Sequence, residues 1–165
     1  MVTHRKHEDS QKRLENSTAL RDLEIAERIL KERAANLVVV KNGKEIFIGF
    51  SDGLKDLAEI VLENPRILRH SSIADRIVGK AVAVVCVVES VRAVHADVVS
   101  ASGLRTLKEG GVEVSYNQLV EFVKGRNGKM CPFERIVLSV KDPSEAYEKL
   151  LKGFRQAFKR CKNVI

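Results

Sequence analysis

The chain has no tryptophan, two tyrosines and six phenylalanines, so it carries little material for stacking on nucleic-acid bases. Cysteine is scarce as well: the three thiols fall at 86, 131 and 161, odd in number and widely spaced, which argues against a disulfide framework. There is no C-x-x-C and no H-x-E, and the one H-x-x-H, His4 to His7, sits in a polar tail with no cysteine nearby. A zinc site needs three or four converging ligands, so neither a structural nor a catalytic metal is expected, and no cofactor. No apolar run approaches the roughly 20 residues of a membrane span. The start, His4-Arg5-Lys6-His7-Glu8-Asp9, has no apolar segment behind it and does not read as a secretory signal. These absences point to a cytoplasmic protein without membrane contact.

What is present is ordinary globular composition, 44% hydrophobic and 31% charged over 165 residues, the size of one domain with appendages. The net charge is +7, and the excess is uneven. Lys149, Lys152, Arg155, Lys159, Arg160 and Lys162 crowd the C-terminus with no acid among them. Such a run is commonly a solvated helix face, and it also permits contact with a polyanion through counterion release.

Residues 1–16 are polar and aperiodic and are expected to be flexible. Residues 17–140 read as a single α/β domain, and 141–165 as a basic amphipathic helix packed on it, using Ala146, Leu150, Phe154 and Phe158. Within the domain, a helix over 17–35 places Leu20, Leu23, Ile29 and Leu30 near one face, with Arg21, Asp22, Arg28, Lys31 and Glu32 mostly outside. Two β-rich runs, 36–41 and 45–50, flank Asn42-Gly43-Lys44 as a hairpin, and a helix from Leu54 stops at Asn64-Pro65. Ser72-Ile73-Ala74-Asp75 resembles a capping box, which predicts one long helix over 73–88, although Val82, Val84, Val85, Val87 and Val88 locally prefer strand. A strand over 91–100, a helix over 101–110 and a short strand over 112–115 make a parallel crossover, and a helix is expected over 116–124.

The richest stretch is Gly125-Arg126-Asn127-Gly128-Lys129-Met130-Cys131-Pro132-Phe133-Glu134. Pro132 suits a first helical position and Glu134 the third, which puts Cys131 at the N-cap. Unpaired amides and nearby cations favour a thiolate there. Arg126 has the fork geometry for a carboxylate or phosphate. Of the others, Cys86 lies in Val-Val-Cys-Val-Val and His95 sits mid-strand, and both read as core residues.

Ser51-Asp52-Gly53-Leu54, Ala74-Asp75-Arg76-Ile77-Val78-Gly79-Lys80-Ala81, Ser100 and Arg126 through Glu134 together resemble an uncharacterised prokaryotic family whose fold belongs to the cytidine-deaminase-like group. The likeness spans roughly 37–134. It implies a three-layer α/β/α sandwich with a mixed sheet of four or five strands, and leaves homo-oligomerisation open. It does not imply deamination, because at the helix start where those enzymes bind zinc this chain offers Asp75 and no His-x-Glu.

Two functions follow as expectations. The first is a metal-independent site for a small anionic or nucleotide-like ligand, with Asp75, Cys131 and Glu134 as candidate chemical groups and Lys80, Ser100 and Arg126 as ligand contacts. The alternative is a non-catalytic module that holds nucleic acid or an acidic partner through Lys152, Arg155 and Lys159.

Overall fold

The computed structural model describes residues 2–125 and 127–162, with side chains over 7–125 and 127–157. Helix α1 (Val2–Glu32) is followed by the hairpin β1 (Leu37–Lys41) and β2 (Lys44–Gly49) and by α2 (Lys55–Glu63). Next come β3 (Ser72–Val78), α3 (Lys80–Val88), β4 (Ala93–Ser100), α4 (Ala101–Glu109), β5 (Glu113–Val120), α5 (Pro132–Val137) and α6 (Pro143–Lys162).

The strands form one mixed sheet in the order β2-β1-β3-β4-β5. β1 runs antiparallel to both neighbours, whereas β3, β4 and β5 are mutually parallel. Asn42 and Gly43 close the hairpin with φ of 52° and 75°, the left-handed pair that a two-residue turn requires. The Asp22 carboxylate of α1 accepts both turn amides, Asn42 N at 2.8 Å and Gly43 N at 2.7 Å. Asp22 is therefore buried rather than outward, while Leu20 is largely exposed.

Alternation along β1 sorts the core into two layers. Val38 and Val40 meet Ala26 and Leu30 of α1 on one face of the sheet. Leu37 and Val39 join Leu57 of α2, Val85 of α3, Leu107 of α4 and Leu150 and Phe154 of α6 on the other. Phe133 of α5 packs edge-on against Phe154 with ring centroids 5.0 Å apart, which seats α5 on α6. The Tyr147 hydroxyl donates to Glu89, joining α6 to the end of α3.

Three expectations from the sequence are corrected. The first helix, expected over 17–35, is instead α1 over Val2–Glu32, with exposed side chains from His7 to Ser17. The single helix over 73–88 is instead β3 and α3, separated by Gly79. Ser72-x-x-Asp75 mimicked a cap, but Ser72–Val78 is a central strand whose backbone pairs with β1 on one side and β4 on the other. The third correction concerns 116–124, where β5 runs to Val120. β5 is exposed over most of its length, so it shows no inward stripe for periodicity to detect.

Gly79 is where the fold tolerates no side chain. A Cβ there would fall directly onto Glu134 Oε1 and within 2.5 Å of Val123 Cγ2. Gly79→Ala is expected to cost about 1–3 kcal/mol through this overpacking, measured by urea denaturation. Unchanged stability would mean that Glu134 does not rest against this turn.

Candidate functional site

β3 ends, Gly79 turns the chain, and α3 begins with its first amides unpaired within the helix. Glu134, from the first turn of α5, reaches across 54 residues of sequence to fill that need. Its carboxylate accepts from Lys80 N at 3.0 Å and from Ala81 N at 2.6 Å. Lys80 returns the contact: its Nζ donates to the carbonyls of Leu138 at 3.1 Å and Val140 at 2.8 Å, just beyond α5. Each helix start thus supplies the charge that the other segment lacks. Burial raises the Glu134 carboxyl above the ordinary range, opposed by the two amides and by Lys80.

This clamp forms one wall of a cleft of about 660 Å³ at the carboxyl end of β3. Leu54, Val82 and Val123 give it apolar surface, Gly53, Gly79 and Gly125 keep it open, and Asp75, Cys131 and Glu134 share it. The three candidate chemical groups therefore meet although they come from β3 and from the segment around α5. Asp75 is half-buried on the cleft wall. Its Oδ1 accepts the Ile77 amide at 3.1 Å, and no cation pairs with it among the described residues. Removal from water pushes the Asp75 carboxyl up to about 7; the amides of Ile77 and Arg76 oppose the shift, and Asp97 and Asp56 add to it.

The proposed ligand contacts fare differently. Lys80 is committed to the α5 carbonyls and does not line the cleft. Ser100 is fully buried as the N-cap of α4, accepting from Gly103 N at 3.0 Å, and also lies away from the cleft. Arg126 lies outside the described residues. Cys131 is the N-cap of α5 as expected and is partly exposed, but α5 is only six residues long. Cys86 is buried, and burial pushes its thiol far above the ordinary range. Lys152 and Arg155 are exposed on α6, and the Lys159 side chain lies outside those described.

Sequence reasoning missed Asn36 and Arg76, which line the cleft. The Asn36 side-chain amide donates to the carbonyls of Phe50 and Ser51, at 3.1 and 3.0 Å, and so ties the Asp52-Gly53 turn to β1. Arg76 reaches Asp97 Oδ2 at 3.1 Å and the Ala35 carbonyl at 2.8 Å. Neither role is visible locally, since both residues act through partners 14 or more positions away in the sequence. His95 lies on the α1 side, buried, with Nδ1 2.8 Å from Ser115 Oγ and Glu27 Oε2 3.7 Å away. Among the described residues, no three His, Cys, Asp or Glu side chains converge as metal ligands.

The mixed five-stranded sheet and six helices of the described residues define an α/β domain with its cleft at a strand end. The chain belongs to the DUF1893 family, a domain of unknown function, whose model matches residues 25–154. It is similar to the crystal structure of a DUF1893 family protein from Thermotoga maritima at 32% identity and a TM-score of 0.72, covering 79% of this chain and 88% of that one. No curated protein matches. No helix among the described residues is long and apolar enough to cross a membrane.

The state of Asp75 fixes a pH dependence. A carboxyl near 7 in the folded protein keeps its proton between about pH 4 and 7, where the unfolded chain has lost it. Wild-type stability should therefore fall across that window and level off above it. Asp75→Asn removes this component, so its advantage over wild type should grow by about 1 kcal/mol per pH unit from pH 4 to 7 in urea melts. Parallel pH profiles for the two proteins would show that Asp75 is not held in this way.

Proposed function

We propose that the protein is a metal-independent small-ligand-binding domain whose site is the cleft between the end of β3 and the Val123–Glu134 segment. The observation that carries this reading is the Asp75 carboxyl, half-buried and without a cationic partner among the described residues, at the wall of a cleft with apolar sides. Burying such a group is costly unless something binds it, and perturbed carboxyls in clefts cluster at functional sites. The volume of about 660 Å³ is that of a small organic ligand. Apolar walls around a polar group suit a nucleotide-like molecule with a flat body better than a bare inorganic anion. Cys131 offers a thiol to the same space.

Helices on both faces of a mixed sheet, with the cleft at the start of the helix after the central strand, support kinship with the cytidine-deaminase-like group. That kinship concerns fold and carries no activity with it.

Iodoacetamide should alkylate Cys131 well before buried Cys86, and one of a panel of nucleosides should slow the Cys131 reaction at least threefold, read by peptide mass spectrometry. Labelling of Cys131 no faster than Cys86, indifferent to every nucleoside, would remove the reading.

A second reading rests on Lys152 and Arg155, exposed on α6 with no ion pair among the described residues. It makes α6 a polyanion-binding face. Heparin affinity should then fall with salt and drop further in Lys152→Glu/Arg155→Glu, whereas failure of wild type to bind at low salt would exclude it.

A further inference from the structure

The cleft shows which polar groups remain for a ligand once the fold has satisfied itself. The amides and cations nearest the end of β3 are largely engaged within the fold, exposed Lys124 apart, and Asp52 and Glu134 share the lining with Asp75. The first amides of α3 are taken by Glu134, and the Lys80 ammonium by the Leu138 and Val140 carbonyls. The Arg76 guanidinium donates through Nη1 to Asp97 and through Nε to the Ala35 carbonyl. Lys124 lies at the exposed side of the cleft, where water screens its charge. Glu134 uses both oxygens on amides.

Asp75 is different. Oδ1 accepts the Ile77 amide and the Arg76 amide also favours the charged form, but a carboxylate has about four lone-pair sites, so acceptor capacity remains toward the cleft. The complement of a carboxylate with two open acceptor positions is a pair of adjacent N–H donors in one plane. The complement of the Leu54, Val82 and Val123 walls is an apolar body.

We propose that the cleft binds an organic molecule through an amidine-type edge, two adjacent N–H donors on an apolar body, seated against Asp75. This rests on the cleft being the ligand site and names the chemical class that fits it. The bound form pairs the ionised carboxylate with the donor edge, so affinity rises as Asp75 loses its proton.

The test uses the full chain and three probes: benzamidine, benzoate with the same ring and opposite charge, and inorganic phosphate. Amide chemical shifts at Gly53, Ile77 and Gly79 report occupancy. Benzamidine should shift these amides, with affinity about tenfold higher at pH 8 than at pH 6, the ratio of ionised Asp75 when its carboxyl titrates near 7. Asp75→Asn should lose at least tenfold in affinity together with the pH dependence. That variant removes an ionisation cost and is expected to fold, and its own spectrum verifies this. Benzoate or phosphate shifting the same amides, and ceasing to do so in Arg126→Ala, would overturn the amidine assignment and leave the cleft as a ligand site. Benzamidine affinity independent of pH, or retained in Asp75→Asn, would also overturn it. If none of the three probes moves the cleft amides, the assignment and the ligand site fall together.

Discussion

A carboxylate from α5 sitting on the first amides of α3 is the interaction around which this structure is arranged. It joins Glu134 to Lys80 and Ala81, and the Lys80 ammonium answers by holding the carbonyls beyond α5. The exchange satisfies polar groups at two places where helices leave them bare, the Glu134 end buried and the Lys80 end partly exposed. It also dictates glycine at 79, because only a residue without Cβ lets the carboxylate approach so closely. The segment after β5 is thereby pinned over the end of β3, and a cleft is left between them.

That arrangement explains why the cleft has its particular chemistry. Helix starts normally attract anions, but here the protein provides its own. Arg76 and Lys80 are likewise engaged, by Asp97 and by backbone carbonyls. What remains facing the cavity is apolar surface together with the half-buried Asp75 carboxyl, which has no cationic partner among the described residues. Asp75 can carry this cost because it stands on a central strand, fixed on both sides by β1 and β4, and its position does not depend on its own charge. The rigid sheet supplies the position, and the less regular Val123–Glu134 segment supplies the cover.

The sequence made much of the fold legible wherever a local signal coincided with the tertiary outcome. The Asn42-Gly43 turn, the stop at Asn64-Pro65, the β4-α4-β5 crossover and the Cys131-Pro132 helix start were readable because turn, cap and proline chemistry act within a few residues. β3 was not, since Ser72-x-x-Asp75 imitates a cap and only pairing on both sides makes the segment a strand. The later half of β5, read as helix, escaped because a mostly exposed strand carries no alternation. Asp75, Cys131 and Glu134, singled out from the sequence, come to line one cleft, whereas the commitment of Lys80 and Ser100 to helix ends was not legible.

By itself the sequence determined an α/β domain, the hairpin, the amphipathic helices and the residue types available for chemistry, because these depend on periodicity and short-range geometry. Only the tertiary structure decided that Glu134 would spend its charge on α3, that Lys80 would serve α5, and that Asp75 would be left as the open acceptor of a cleft. The physical reason is that polar groups are assigned to partners by three-dimensional proximity, and each assignment removes a group from the set that a ligand can meet.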